Sequence, residues 1–155
     1  MRDAACSLLC ALGLAGCAAA PAPYGNFIQD APAGYDRIVA QDAARQLATL
    51  YPPAHTRFEV QQATPDAFGT RLTASLRAKG YAVREALPSS VVQEASAGKE
   101  ENSAAAVPVL RLMYVLDRAA DLVRVTLEVG DQSMSRAYLA QNDALHPAGA
   151  WVRKE

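Results

Sequence analysis

After residue 17 the sequence has no cysteine; its three thiols are Cys6, Cys10 and Cys17. A chain without thiols over that length holds no zinc ribbon, thiolate nucleophile or disulfide framework there, and relies on a hydrophobic core and hydrogen bonds. Histidine is nearly as scarce. His55 stands close to Pro53 and His146 precedes Pro147, both in expected loops and neither at a metal-ligand spacing. No Gly-x-Ser-x-Gly elbow, phosphate-cradling glycine loop or dinucleotide fingerprint is present. Asp117 and Asp121 flank an expected turn, where aspartate serves backbone hydrogen bonding rather than catalysis. No catalytic, cofactor-binding or metal-binding constellation assembles from these residues, so the chain does not read as an enzyme. A formal net charge of −1 without a basic cluster argues against nucleic-acid binding. The one long apolar run, over 4–16, is too short to cross a bilayer comfortably as a helix.

That run has the length of a signal-peptide core and stops at Cys17. Leu14-Ala15-Gly16-Cys17 resembles a bacterial lipobox, in which small residues admit a peptidase and the following thiol receives a diacylglycerol. The resemblance implies that 1–16 are removed, Cys17 begins the mature chain, and the only prosthetic group is covalent lipid, palmitate among its chains, with no other cofactor. Each buried methylene adds about 0.8 kcal/mol, so two or three acyl chains hold a protein on a membrane that it does not span. Ala18, with no aspartate directly after the cysteine, matches lipoproteins forwarded to the outer membrane. Two alternatives stay open: ordinary secretion, since Ala18-Ala19-Ala20 also satisfies an A-x-A cleavage site, and an uncleaved anchor, since Asp3 cancels Arg2 in the amino-terminal region.

The remaining length is enough for one domain with a core, and 51% apolar with 20% charged residues is ordinary for a globular chain. Residues 17–34, rich in Ala, Pro and Gly, read as a flexible tether. Tyr24, Phe27 and Ile28 interrupt it. They either pack back on the domain or form a short partner-binding strip.

A helix is expected over 35–51, from Tyr35, Val39, Ala43, Leu47 and Leu50 at helical spacing, with Asp36, Arg37, Gln41, Asp42, Arg45 and Gln46 on its other faces. Pro52-Pro53 ends it. A strand over 56–61 follows, with Phe58 and Val60 on one side. Thr64-Pro65-Asp66 reads as the start of a second helix, the threonine hydroxyl capping it, proline in its first turn and the Asp66 carboxylate against the positive end of the dipole, and Lys79-Gly80 as its stop. A second strand over 81–85 completes a strand-helix-strand unit, expected to close as a parallel crossover.

Residues 88–107 shift to Ser, Ala, Glu and Gly and read as a disordered insertion, with a short helix over 91–97 as the alternative. Beyond it, 109–117 carries apolar residues on both faces and should be central. The stretch 122–129 alternates, with Val123, Val125, Leu127 and Val129 inward. Gly130-Asp131 has hairpin-turn chemistry. Taken as the turn, it sets Leu127 against Met134, Val125 against Arg136 and Val123 against Tyr138. Arg136 thereby falls on an apolar face. It is either an edge-strand arginine whose stem covers the core while its head reaches water, or a buried or interfacial charge that needs a carboxylate. Trp151, the single tryptophan, either packs on its own domain or anchors a partner. The expected fold is a small two-layer α+β domain over 35–155, two helices on one face of a mixed four- to five-stranded sheet. Its other face or an edge strand is left for a partner.

The blocks "YGNFIQDAPAGYD" and "DAARQLATLYPPAHTRFEVQQATPDAFGTRLTASLRAKGYAV", with the short tether, paired prolines and T-P-D-x-F helix start in that order, resemble the TrbH family of conjugal transfer lipoproteins. The resemblance covers 24–83 and is looser beyond. It implies a structural, non-enzymatic component of a mating-pair-formation apparatus, a type IV secretion system for plasmid transfer. Such a protein would be lipid-anchored on the periplasmic face of the outer membrane beside TrbG-like and TrbI-like proteins, with no direct contact to nucleic acid. The competing function is a free-standing envelope lipoprotein for ligand binding or surface exclusion.

Overall fold

The computed structural model describes residues 24–32, 34–85, 107–142 and 144–154. The expected signal and lipobox (Leu14, Ala15, Gly16, Cys17) and nearly all of the expected insertion at 88–107 lie outside these residues.

Two helices and an eight-stranded mixed sheet form the domain. Helix α1 (Tyr35–Leu50) buries Tyr35, Val39, Ala43 and Leu47, which recur every fourth residue, together with Ala40 and Ala44. It ends where two prolines follow Tyr51, whose N–H still reaches the Leu47 carbonyl at 2.8 Å. Helix α2 (Ala67–Ala78) buries Phe68, Gly69, Leu72, Thr73 and Leu76. Its cap differs from the sequence expectation. The Asp66 carboxylate, not the Thr64 hydroxyl, accepts the Gly69 N–H at 2.9 Å, and Pro65 precedes the cap instead of occupying the first turn. Thr64 donates instead to Glu85. Aspartate outcompetes threonine because its charge also meets the positive end of the helix dipole.

The strands are β1 (Gly25–Asn26), β2 (Arg57–Val60), β3 (Ala82–Glu85), β4 (Val109–Ala119), β5 (Leu122–Val129), β6 (Gln132–Gln141), β7 (Ala144–Pro147) and β8 (Val152–Lys154). Their order is β3-β2-β4-β5-β6-β7. β1 pairs with β4 beyond the end of β2, and β8 with β6 beyond β7. β2 lies parallel to β3 and β4, and from β4 onward the pairing is antiparallel. The hairpin register is the expected one: Leu127 faces Met134, Val125 faces Arg136 and Val123 faces Tyr138. Gly130, at φ 59, supplies the left-handed residue of the turn.

Five strands come from the segments expected to form them, and three short ones join from elsewhere. β1 arises within the expected tether, so 24–32 is not free chain: Phe27 N–H bonds the Leu116 carbonyl at 2.8 Å. β7 and β8 fill the carboxy-terminal stretch and take in His146, expected in a loop.

One face of the sheet carries the core. Phe58, Val60, Leu112, Tyr114, Leu116, Val123, Val125, Leu127, Val129, Met134 and Tyr138 are buried there with the apolar stripes of both helices. Central β4 has its opposite face only half-covered, with Met113 and Val115 of intermediate exposure.

Candidate functional site

Two buried tyrosines tie the helices to the sheet, each through an aspartate. The first tie lies at Tyr114 on β4, whose hydroxyl donates to Asp66, the residue that caps α2. Burial, followed by the Asp66 carboxylate, pushes this phenol far above its ordinary range. Phe68 packs edge-on against the ring at 4.9 Å between centroids. The Gln62 side chain reproduces a strand at this point: its Oε1 accepts the Tyr114 N–H at 2.9 Å and its Nε2 donates to the Tyr114 carbonyl at 3.2 Å. One amide thus satisfies the stretch of β4 edge between β2 and β1.

The second tie is centred on Asp42 of α1. Its Oδ2 accepts from Tyr138 Oη at 2.6 Å and from Arg136 Nη1 at 2.7 Å, and its Oδ1 accepts from Arg45 Nη2 at 2.9 Å. Arg136 also donates through Nε to the Gly149 carbonyl at 2.8 Å and lies 5.8 Å from the centre of the Tyr138 ring. Of the two readings of Arg136, the charge that needs a carboxylate partner holds, with the side chain partly buried. β6 is not an edge strand, having β5 on one side and β7 and β8 on the other. The Arg136 side chain keeps 19% of its surface exposed and that of Asp42 11%. Burial is the largest single influence on Asp42 and would raise its pKa. The hydrogen bonds from Tyr138, Arg45 and Arg136 with the guanidinium charge outweigh it and hold the carboxyl below the usual aspartate range.

Asp42 was expected on an outer face of α1, and the structure corrects this. It stands seven residues after Tyr35, two helical turns on, and falls on the buried stripe. Arg136 also mends an interruption in the sheet, since β7 ends against Tyr138 and β8 begins against Ser135. Its bond to Gly149 fastens the chain that passes between them.

The candidate partner residues are not gathered at one place. Tyr24 donates to Glu128 Oε2 at 2.8 Å, Phe27 is 52% exposed, Ile28 and Trp151 pack partly buried against the core, and Arg136 is held by Asp42. His55 is exposed in the turn after α1, and Asp117 is taken by Arg124 across the β4–β5 pair at 2.6 Å. Among the described residues no three His, Cys, Asp or Glu side chains group as metal ligands. Two shallow clefts among the described residues, of about 300 and 360 Å³, are lined by Glu128, Asp131, Gln132, Ser133 and Lys154 and by Gln41, Arg45, Ser75 and Lys79. Among the described residues no helix is long and apolar enough to cross a membrane. The buried polar groups serve to hold helices on a sheet.

A family model described as conjugal transfer protein TrbH matches residues 21–155. The chain belongs to the TrbH family. The match covers the whole described TrbH domain, including β7 and β8, where the sequence resemblance was looser. Comparison with curated proteins and with solved structures gave no match.

Proposed function

We propose that this TrbH protein is an outer-membrane lipoprotein that braces a conjugative type IV secretion apparatus during plasmid transfer. The observation that carries the reading is one of adjacency: the family match starts at residue 21, directly behind Leu14-Ala15-Gly16-Cys17. Cys17 takes the lipid, the domain lies in the periplasm, and other mating-pair-formation proteins, TrbG-like and TrbI-like, are its partners. Its work is attachment and assembly. A domain whose buried polar groups are used in joining α1 and α2 to the sheet suits a rigid interaction module.

Cys17→Ser tests this reading in cells. The variant is expected to remain as unprocessed precursor without radiolabelled palmitate and to lower plasmid transfer by at least tenfold. Wild-type processing and transfer frequency in the variant would refute the lipid anchor.

A further inference from the structure

Four large apolar side chains are exposed among the described residues: Phe27 at 52%, Val109 at 54%, Leu122 at 43% and Val152 at 65%. The registers place the last three on one side, and Phe27 follows by two residues Gly25, which shares that side with Val115. Val109 alternates with the buried positions of β4, Leu122 precedes buried Val123, and Val152 lies opposite Ser135, next to buried Met134. Phe27 neighbours Ile28, which packs into the core. This is the sheet face away from α1 and α2. Across its middle, Gly25, Val115, Thr126, Ser135 and Val152 form a row through five adjacent strands without one long polar side chain. The face is flat.

Three of its cations gather at one corner. Arg57, Arg84 and Arg111 project from β2, β3 and β4 on this face, exposed, around Glu59, which the registers set between Arg84 and Arg111. No ion pair of these three arginines forms among the described residues. A cleft of about 220 Å³ at the same corner is lined by Arg57, Ala82, Arg84 and Val109 above buried Phe58. Elsewhere on the face Arg124 is paired with Asp117 and Lys154 adds a further cation, while Glu128, opposite Met113 and so beside Arg111, holds Tyr24. The balance is positive.

The chain also enters here. Tyr24, directly before β1, bonds Glu128 on this face, and Cys17 stands only seven residues earlier. Seven residues span at most about 25 Å. An acyl group on Cys17 would therefore keep this face close to the lipid headgroups.

We infer that the helix-free sheet face docks on an anionic phospholipid surface, Arg57, Arg84 and Arg111 binding headgroup phosphates while Phe27, Val109, Leu122 and Val152 meet the interfacial region. Guanidinium groups suit phosphate because they bond in a planar fork, and their stems rest on apolar surface. Basic side chains beside an anionic bilayer add binding one by one, and salt weakens it. The helices and the β3 edge are left for protein partners. The inference rests on the lipoprotein reading for what brings the face to the membrane, so docking is measured without acyl chains and separately from palmitate labelling.

All described elements lie from residue 24 onward, and the chain made from residue 17 with Cys17→Ser contains the whole of them. This protein should sediment with vesicles of phosphatidylglycerol and phosphatidylethanolamine and stay behind with phosphatidylcholine alone. Combined Arg57→Gln, Arg84→Gln and Arg111→Gln should weaken binding by more than about tenfold. The three lysine counterparts should keep most of it, and matched thermal melts exclude unfolding as the cause. Equal binding to neutral vesicles, no binding, or an unaffected glutamine variant would overturn the inference. Self-association abolished by Val152→Glu, without vesicle binding, would likewise overturn it and give the face to a second copy.

Discussion

Asp42→Ala will lower the free energy of unfolding by about 3 kcal/mol in urea titration, the largest loss expected from any single polar residue of the domain. One carboxylate accepts Tyr138, Arg136 and Arg45 together, and its removal leaves a mostly buried guanidinium and a buried phenol without their acceptor. Arg136→Met should cost less, because Asp42 keeps Tyr138 and Arg45 while the methionine still covers the core. The same residue governs acid stability. The folded-state pKa of Asp42 lies below its unfolded value, so its stabilisation is complete above the unfolded pKa of about 3.9 and is lost as pH falls through the folded one. Unfolding followed across that acid range should show the wild type losing stability more steeply than Asp42→Asn. Parallel pH dependence of the two proteins would contradict the assignment.

Gly69→Ala is expected to destabilise by about 2 kcal/mol, although the same change inside a free helix stabilises by about 1 kcal/mol. A Cβ at this position would lie 2.2 Å from Tyr114 Oη and 2.8 Å from Thr64 Cβ. Neither neighbour yields easily. The Tyr114 hydroxyl is held by Asp66, and moving Asp66 breaks the cap on α2. Introduced with Tyr114→Phe, which removes the nearest atom, the alanine should cost clearly less than it does alone, a non-additivity that thermal or urea unfolding of the double-mutant cycle reads directly. An additive cycle would show that the contact does not limit the position.

Elements driven by local pattern were legible in the sequence. Four-residue spacing marked α1 to within a residue of its end, and a two-residue turn fixed the β5–β6 register, so the placing of Arg136 on the core face followed without coordinates. Its partner did not. Asp42 was counted among the polar faces of α1 because charge was weighed above position, yet two helical turns from Tyr35 put it on the buried stripe. That spacing, joined to an arginine that the hairpin register set on the core face, was the available signal. The Tyr114 to Asp66 bond spans 48 positions of sequence and has no local signature. β1, β7 and β8 escaped for a different reason. Two to four residues are too few to show a period, and each exists because a longer strand offers it an edge. Arg57, Arg84 and Arg111 are scattered along the chain and become a cluster only when β2, β3 and β4 pair.

Membership of the TrbH family fits work done together with other proteins of the transfer system. The most direct test is purification of the wild-type protein and of Cys17→Ser from detergent-solubilised membranes of cells carrying the full transfer system, followed by mass spectrometry of what accompanies each. The account predicts that outer-membrane subunits of the transfer channel come with the wild type and are strongly depleted with Cys17→Ser. Recovery of the wild-type protein alone from membranes that contain those subunits would contradict it.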